Sequence, residues 1–160
     1  MERFQEARDS AIKYVRLADH VLTQTYPLVK DPKLLLAVLD NIKNGLINAM
    51  DTILYYERLF KRIPPFGDTF ESRYGVFKGI VEKYKMNPDY VKTIREVKET
   101  IAEHRKSPVE FARQGKFIIC SDNYQIKTIS TDRIKQHLAV AKDLAAKASQ
   151  MVSKNEHLFA

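Results

Sequence analysis

The chain is expected to be all-α: an up-and-down bundle of about five helices, with one small β-hairpin before the last helix. Three observations predict this. Apolar residues recur at three- and four-residue spacing through five stretches. Cap-type residues and prolines stand at the borders of those stretches. Only one segment, about 116–129, switches to β-prone residues, and five glycines and six prolines are too few for a many-turned β fold. At 160 residues the chain is expected to form one domain, 1–160, long enough to bury a substantial core.

The first helix is expected over residues 3–26. Phe4, Ala7, Ala11, Val15, Ala18 and Leu22 form one stripe, and Pro27 ends or kinks it. The short link that follows favours an antiparallel hairpin with the second helix, 31–63. Asp31-Pro32 reads as an N-cap followed by proline at the first helical position. Leu35, Leu39, Ile42, Leu46, Ala49, Ile53 and Phe60 mark the apolar face of this helix, widened by Leu36, Ile47, Met50 and Leu54. Pro64-Pro65-Phe66-Gly67 stops it.

Asp68-Thr69-Phe70-Glu71 has capping-box spacing with Asp in the cap position, so a third helix runs from there to about Lys85. Its Gly75 and Gly79 are expected to lower helicity and admit a neighbouring backbone. Asn87-Pro88 opens a fourth helix, reaching about Arg105, with Tyr90, Ile94, Val97 and Ile101 on its apolar face and Lys98 at the edge. Ser107-Pro108 ends it. The hairpin pairs 116–120 with 125–129 around Ser121-Asp122-Asn123-Tyr124, and two strands alone are marginal in water. The hairpin must therefore lie on the bundle or pair with something else. Ser130 or Thr131 caps the fifth helix, which runs to about Lys154 on a stripe of Ile134, Leu138, Ala141, Leu144, Ala145, Ala148 and Val152.

Composition excludes several functional classes. The lone Cys120 cannot form an internal disulfide or a cysteine-based zinc site, and its apolar setting reads as a small buried hydrophobe. The net charge of +7 is spread along the chain and interleaved with 20 acidic residues, as on a lysine-rich solvated surface. No apolar run approaches the roughly 20 residues that span a bilayer. The charged, helix-like N-terminus does not read as a secretory signal, so no membrane association and a cytoplasmic location are expected. No glycine-rich phosphate loop, zincin histidine pair or nucleophile elbow is present, so neither cofactor nor metal is expected.

Two Arg/His pairs are the candidate catalytic residues. His104 and Arg105 sit at the C-terminal end of the fourth helix, where cations complement the helix dipole. Arg105 suits a carboxylate or phosphate, and His104 suits proton transfer near neutral pH. The alternative is a structural cap paired with an acid such as Asp51 or Glu110. Arg133 and His137 lie one turn apart, Arg133 at the edge of the last helix's core stripe and His137 within it. As a structural pair, His137 is instead a satisfied core or interface histidine. Arg16 and His20 share that spacing but point away from their stripe, toward solvent.

The third candidate is the outer stripe of the second helix: Asn41, Asn44, Asn48, Asp51 and Tyr55. It is polar but almost uncharged, whereas a freely solvated face usually carries Lys and Glu. It reads as a half-dry contact surface, against a symmetry mate or against the third helix, and otherwise as plain exposed surface or a weak ligand site.

Helix order over residues 3–152, together with the segment His104-Arg105-Lys106-Ser107-Pro108-Val109-Glu110-Phe111, resembles the HEPN class of helical domains and uncharacterised archaeal helical proteins. The HEPN resemblance implies a dimer that binds or cleaves RNA at a composite seam, through Arg, four to six residues, then His. This chain instead has Arg133-x3-His137, Arg16-x3-His20 and Arg95-x8-His104, so no catalytic role carries over. The leading expectation is a non-enzymatic interaction module forming a homodimer. The runner-up is a HEPN-like RNA-binding protein or ribonuclease using His104, Arg105, Arg133 or His137.

Overall fold

The computed structural model describes residues 1–106, 110–113, 116–120 and 126–154, with side chains described for 1–104 and 130–154. In chain order the elements are α1 (Arg3–His20), a π-helical segment (Val21–Thr25), α2 (Tyr26–Val29), α3 (Lys33–Leu59), α4 (Phe70–Lys83), α5 (Asp89–Lys106), β1 (Glu110–Arg113), β2 (Lys116–Cys120), β3 (Ile126–Ser130) and α6 (Thr131–Ser153). Among the described residues the helices form five rods, because α1, the π segment and α2 follow one another directly.

Pro27 does not end the first rod. The backbone widens before it, with the Tyr26 N–H donating to the Val21 carbonyl five residues back. Proline clashes with the carbonyl four residues earlier in a regular helix, and a local widening is a known way to relieve such a clash. The rod then stops at Lys30, whose φ of 54° turns the chain left-handed.

Lysines occupy the same kind of corner after α3 and α4, Lys61 at φ 56° and Lys85 at φ 53°. At each of these two ends a second bond closes the corner: Arg62 N–H to the Glu57 carbonyl at 2.9 Å and Met86 N–H to the Val81 carbonyl at 2.9 Å. This six-to-one closure is the Schellman arrangement, which usually places glycine where these lysines stand.

Helix starts follow short polar side chains. Ser130 Oγ accepts from the Arg133 N–H at 3.1 Å, Asn87 Oδ1 from the Asp89 N–H at 3.0 Å, and Asp31 Oδ1 from the Lys33 N–H at 3.0 Å. At α4 the cap is Thr69, accepting from the Ser72 N–H at 3.2 Å, rather than the expected Asp68. The Ser72 hydroxyl in turn accepts from the Gly67 N–H at 3.0 Å, tying the preceding loop to the first turn.

α3 is the central rod. It packs most extensively on α1, then on α6, α5 and α4. Leu35, Val38, Leu39, Ile42, Leu46, Ala49, Met50, Ile53 and Leu54 are all at most 1% exposed. Around them one core draws Ala11, Val15 and Ala18 from α1, Phe77 from α4, Ile94 and Val97 from α5, and Ile134, Ala141 and Leu144 from α6. A smaller cluster of Phe4, Tyr56 and Val152 closes one end, with the Phe4 and Tyr56 rings edge to face at 5.5 Å. Phe4 opens α1 and Tyr56 closes α3, so these two rods run antiparallel.

Their close approach depends on one glycine. A Cβ at Gly45 would lie 2.8 Å from Val15 Cγ2 and 3.7 Å from the Ala11 carbonyl oxygen. The expectation for the other two helical glycines is corrected: a Cβ at Gly75 or Gly79 would meet nothing within 4 Å, so neither admits a neighbouring backbone.

In place of the expected two-stranded hairpin, the chain forms a three-stranded antiparallel sheet in the order β1-β2-β3. Phe111 pairs with Ile118, and Ile118 with Thr128. The additional strand, β1, gives β2 hydrogen-bonded neighbours on both sides, which a two-stranded ribbon lacks. The sheet touches the bundle where β2 meets α5 and β3 leads into α6. The expected turn at 121–124 and the tail beyond 154 lie outside the described residues, as does the Cys120 side chain.

Candidate functional site

The last helix begins at the Ser130 cap, and this cap fixes Arg133 in its first turn. From there the Arg133 guanidinium reaches across to α5, donating from Nη2 to Glu96 Oε2 at 2.8 Å and from Nη1 to Gln136 Oε1 at 3.3 Å. The ammonium of Lys92 lies 3.9 Å from the other Glu96 oxygen. Glu96 thus serves two cations on the wall of a cleft of about 280 Å³ between α5 and α6, also lined by Asp89, Thr93 and His137.

His137 is 7% exposed, as its place within the core stripe requires. Burial first, and the Arg133 charge second, push its pKa below the ordinary histidine range, while Glu96 pulls the other way. The imidazole is therefore neutral at pH 7, and can accept a proton more readily than supply one. Further along the same seam, Tyr90 donates its hydroxyl to Asp143 Oδ2 at 2.5 Å, and burial followed by this carboxylate pushes the phenol pKa well up.

The other Arg/His candidate, His104 and Arg105, falls only in part within the described residues. His104, at the end of α5, is half-buried and does not line the cleft, and the side chains of Arg105 and Glu110 lie outside the described residues. Arg16 and His20 are both exposed on α1.

The α3 stripe divides into two parts. Asn41, Asn44 and Asn48 are half-buried, and Asn48 donates its amide to the Asn44 carbonyl at 2.7 Å. Asp51 and Tyr55 are taken up within the chain. Asp51 Oδ2 accepts from Arg73 Nη1 of α4 at 2.5 Å, 22 residues along the chain. Tyr55 lies under the Arg3 guanidinium at 4.5 Å and against the Phe66 ring at 5.9 Å. The Asp51–Arg73 pair docks α4, with help from the Tyr74 hydroxyl donating to the Val91 carbonyl at 2.8 Å and from Lys98 Nζ 3.3 Å over the Phe70 ring. Burial outweighs the neighbouring guanidiniums of Arg73 and Arg3, and the Asp51 pKa is pushed up to about 6.

A buried carboxylate missed by sequence reasoning lies six residues beyond Asp51 on the same helix. Glu57 is 1% exposed and accepts from Arg62 Nη1 at 2.9 Å, and the carboxylate pushes the pKa of the Tyr84 phenol up. The signal was present: Glu57 falls four residues after Ile53 and three after Leu54, within the apolar register of α3.

No family model matches the chain, and no curated protein or solved structure matches it either. Among the described residues, no group of three or more His, Cys, Asp or Glu is arranged to hold a metal ion, and no helix is long and apolar enough to cross a membrane.

Proposed function

We propose that the protein is a non-enzymatic interaction module that forms a homodimer. The observation that carries this reading is the remaining part of the α3 stripe. Asn41, Asn44 and Asn48 are half-buried and present amides rather than charges, whereas Asp51 is engaged by Arg73 of α4 and Tyr55 by Arg3 and Phe66. Amides can donate and accept across an interface without the desolvation penalty of a charged group. Elsewhere on the surface, Leu28 and Val29 of α2 are 87% and 61% exposed, aliphatic area that water does not favour. The Arg/His cleft supports the non-enzymatic part, since the Arg133 guanidinium is already engaged by Glu96 and Gln136. Sedimentation velocity at micromolar concentration is expected to give a dimer, and Asn44→Glu to shift it toward monomer. A wild-type monomer throughout that range overturns the reading.

A second reading is favoured by one specific arrangement: Arg133 and His137 converge on a single open cleft. A HEPN-like RNA-binding protein or ribonuclease would use Arg133 for phosphate and the neutral His137 as proton acceptor. Fluorescence anisotropy with a single-stranded RNA is then expected to show binding that weakens steeply with salt and falls in Arg133→Gln. No binding at low salt rules this reading out.

A further inference from the structure

The C-terminal ends of α3, α4 and α6 meet around a second open cleft, of about 490 Å³. Its floor is apolar: Tyr56 is 3% exposed and Met86 8%, and Met151 of α6 is half-buried beside them. Its rim is cationic, with Arg62 after α3, Lys147 on α6 and Lys154 at the end of α6. Among the described residues, Glu57 is the one carboxylate lining it, and it is committed to Arg62.

That commitment is structural. The Arg62 N–H closes the helix end on the Glu57 carbonyl while its guanidinium bonds the Glu57 carboxylate, and the same guanidinium lies 5.5 Å from the Tyr56 ring centre and 5.2 Å from that of Phe60. Arg62 is thus held in place from three sides, with its charge largely answered. Lys147 and Lys154 are both exposed, and no carboxylate pairs with either among the described residues. Seven residues apart on one helix, they stand on the same face, two turns from each other.

We propose that this cleft binds an amphipathic anion: an apolar alkyl or aryl body with one anionic head group. The body covers Met86, Met151 and the Tyr56 ring, where flexible thioethers adapt to different shapes. The head pairs with Lys147 and Lys154. A largely apolar concavity with a few convergent polar groups is the usual form of a small-molecule site. The proposal concerns residues separate from the α3 stripe and from the Arg133–His137 cleft, so it stands or falls independently of the function proposed above.

The test is calorimetric titration with decanoate below its micelle concentration, with 1-naphthoate, 1-decanol and inorganic phosphate as comparison probes. Decanoate or naphthoate is expected to bind, the better of the two identifying the body as alkyl or aryl. Lys147→Gln/Lys154→Gln is expected to weaken that binding about tenfold. The same loss of charge elsewhere, in Lys33→Gln/Lys135→Gln, is expected to leave it unchanged. Both variants alter exposed side chains, and unchanged melting curves verify their fold. Four results overturn the proposal: no binding of either carboxylate, equal binding of decanol, equal binding of phosphate, or equal weakening in the control variant.

Discussion

Arg73→Met is expected to lower folding stability by about 3 kcal/mol at pH 8, and by well under half of that at pH 4. The substitution keeps most of the apolar stem but removes the guanidinium that answers Asp51 from α4. Losing one partner of a buried pair leaves a desolvated charge behind, which is the costly case. The pH dependence follows from Asp51 itself. Its folded pKa, about 6, lies above the unfolded value of 3.8, so the folded state holds the proton more tightly. Its favourable contribution is complete below pH 3.8 and is lost as pH rises through 6. Removing Arg73 takes away the two largest influences that keep this pKa from rising further, so the deficit grows with pH and nearly vanishes once Asp51 is protonated. Urea unfolding at the two pH values measures it. The double variant Asp51→Leu/Arg73→Met is expected within about 1 kcal/mol of wild type, because the pair is replaced by apolar groups rather than broken. Equal losses at both pH values would show that Arg73 acts through packing and not through charge.

Gly45→Leu is the second large effect, with an expected loss of about 3 kcal/mol. Even the Cβ would press on Val15 Cγ2 at 2.8 Å, and Val15 is β-branched and stiff at χ1. The side chain beyond the Cβ forces α1 away from α3, the most extensive interface in the bundle. Gly75→Ala and Gly79→Ala act in the opposite sense. With nothing to collide with, each is expected to add about 1 kcal/mol from helix propensity alone. Thermal melts of the three variants separate a glycine kept for contact from two that are not.

The same three glycines show how far the sequence can be read. All sit in helical stretches, but only the space around each backbone distinguishes them, and that space is set by residues far away in the chain. Local chemistry was more legible. Ser130 and Asn87 cap where their side chains suggest, because an N-cap bond spans two or three residues and needs no tertiary partner. Asp68 lost the cap to Thr69 by one position, within the reach of either side chain. Pro27 misled because the widened turn before it is a backbone adjustment with no residue signature. Apolar periodicity located the core of α3 well, since burial imposes the helical period directly.

The sites were less legible than the fold. His137 was placed on the buried side correctly by its register, but its neighbours Glu96 and Lys92 come from another helix and leave no trace in local spacing. Asp51 was seen as an acid on a bland stripe, while its partner Arg73 lies 22 residues away on a helix whose docking angle no periodicity specifies. Glu57 was legible and overlooked: a charged residue in an apolar register announces a buried partner.

The lysines at 30, 61 and 85 set stability against surface potential. A left-handed backbone costs a side-chain-bearing residue roughly 1–2 kcal/mol, which glycine avoids. The chain carries that strain at three corners and keeps a positive charge at each. Relaxing the corners with glycine would make a tougher molecule with a weaker field, so heat resistance and attraction for anions pull these positions in opposite directions.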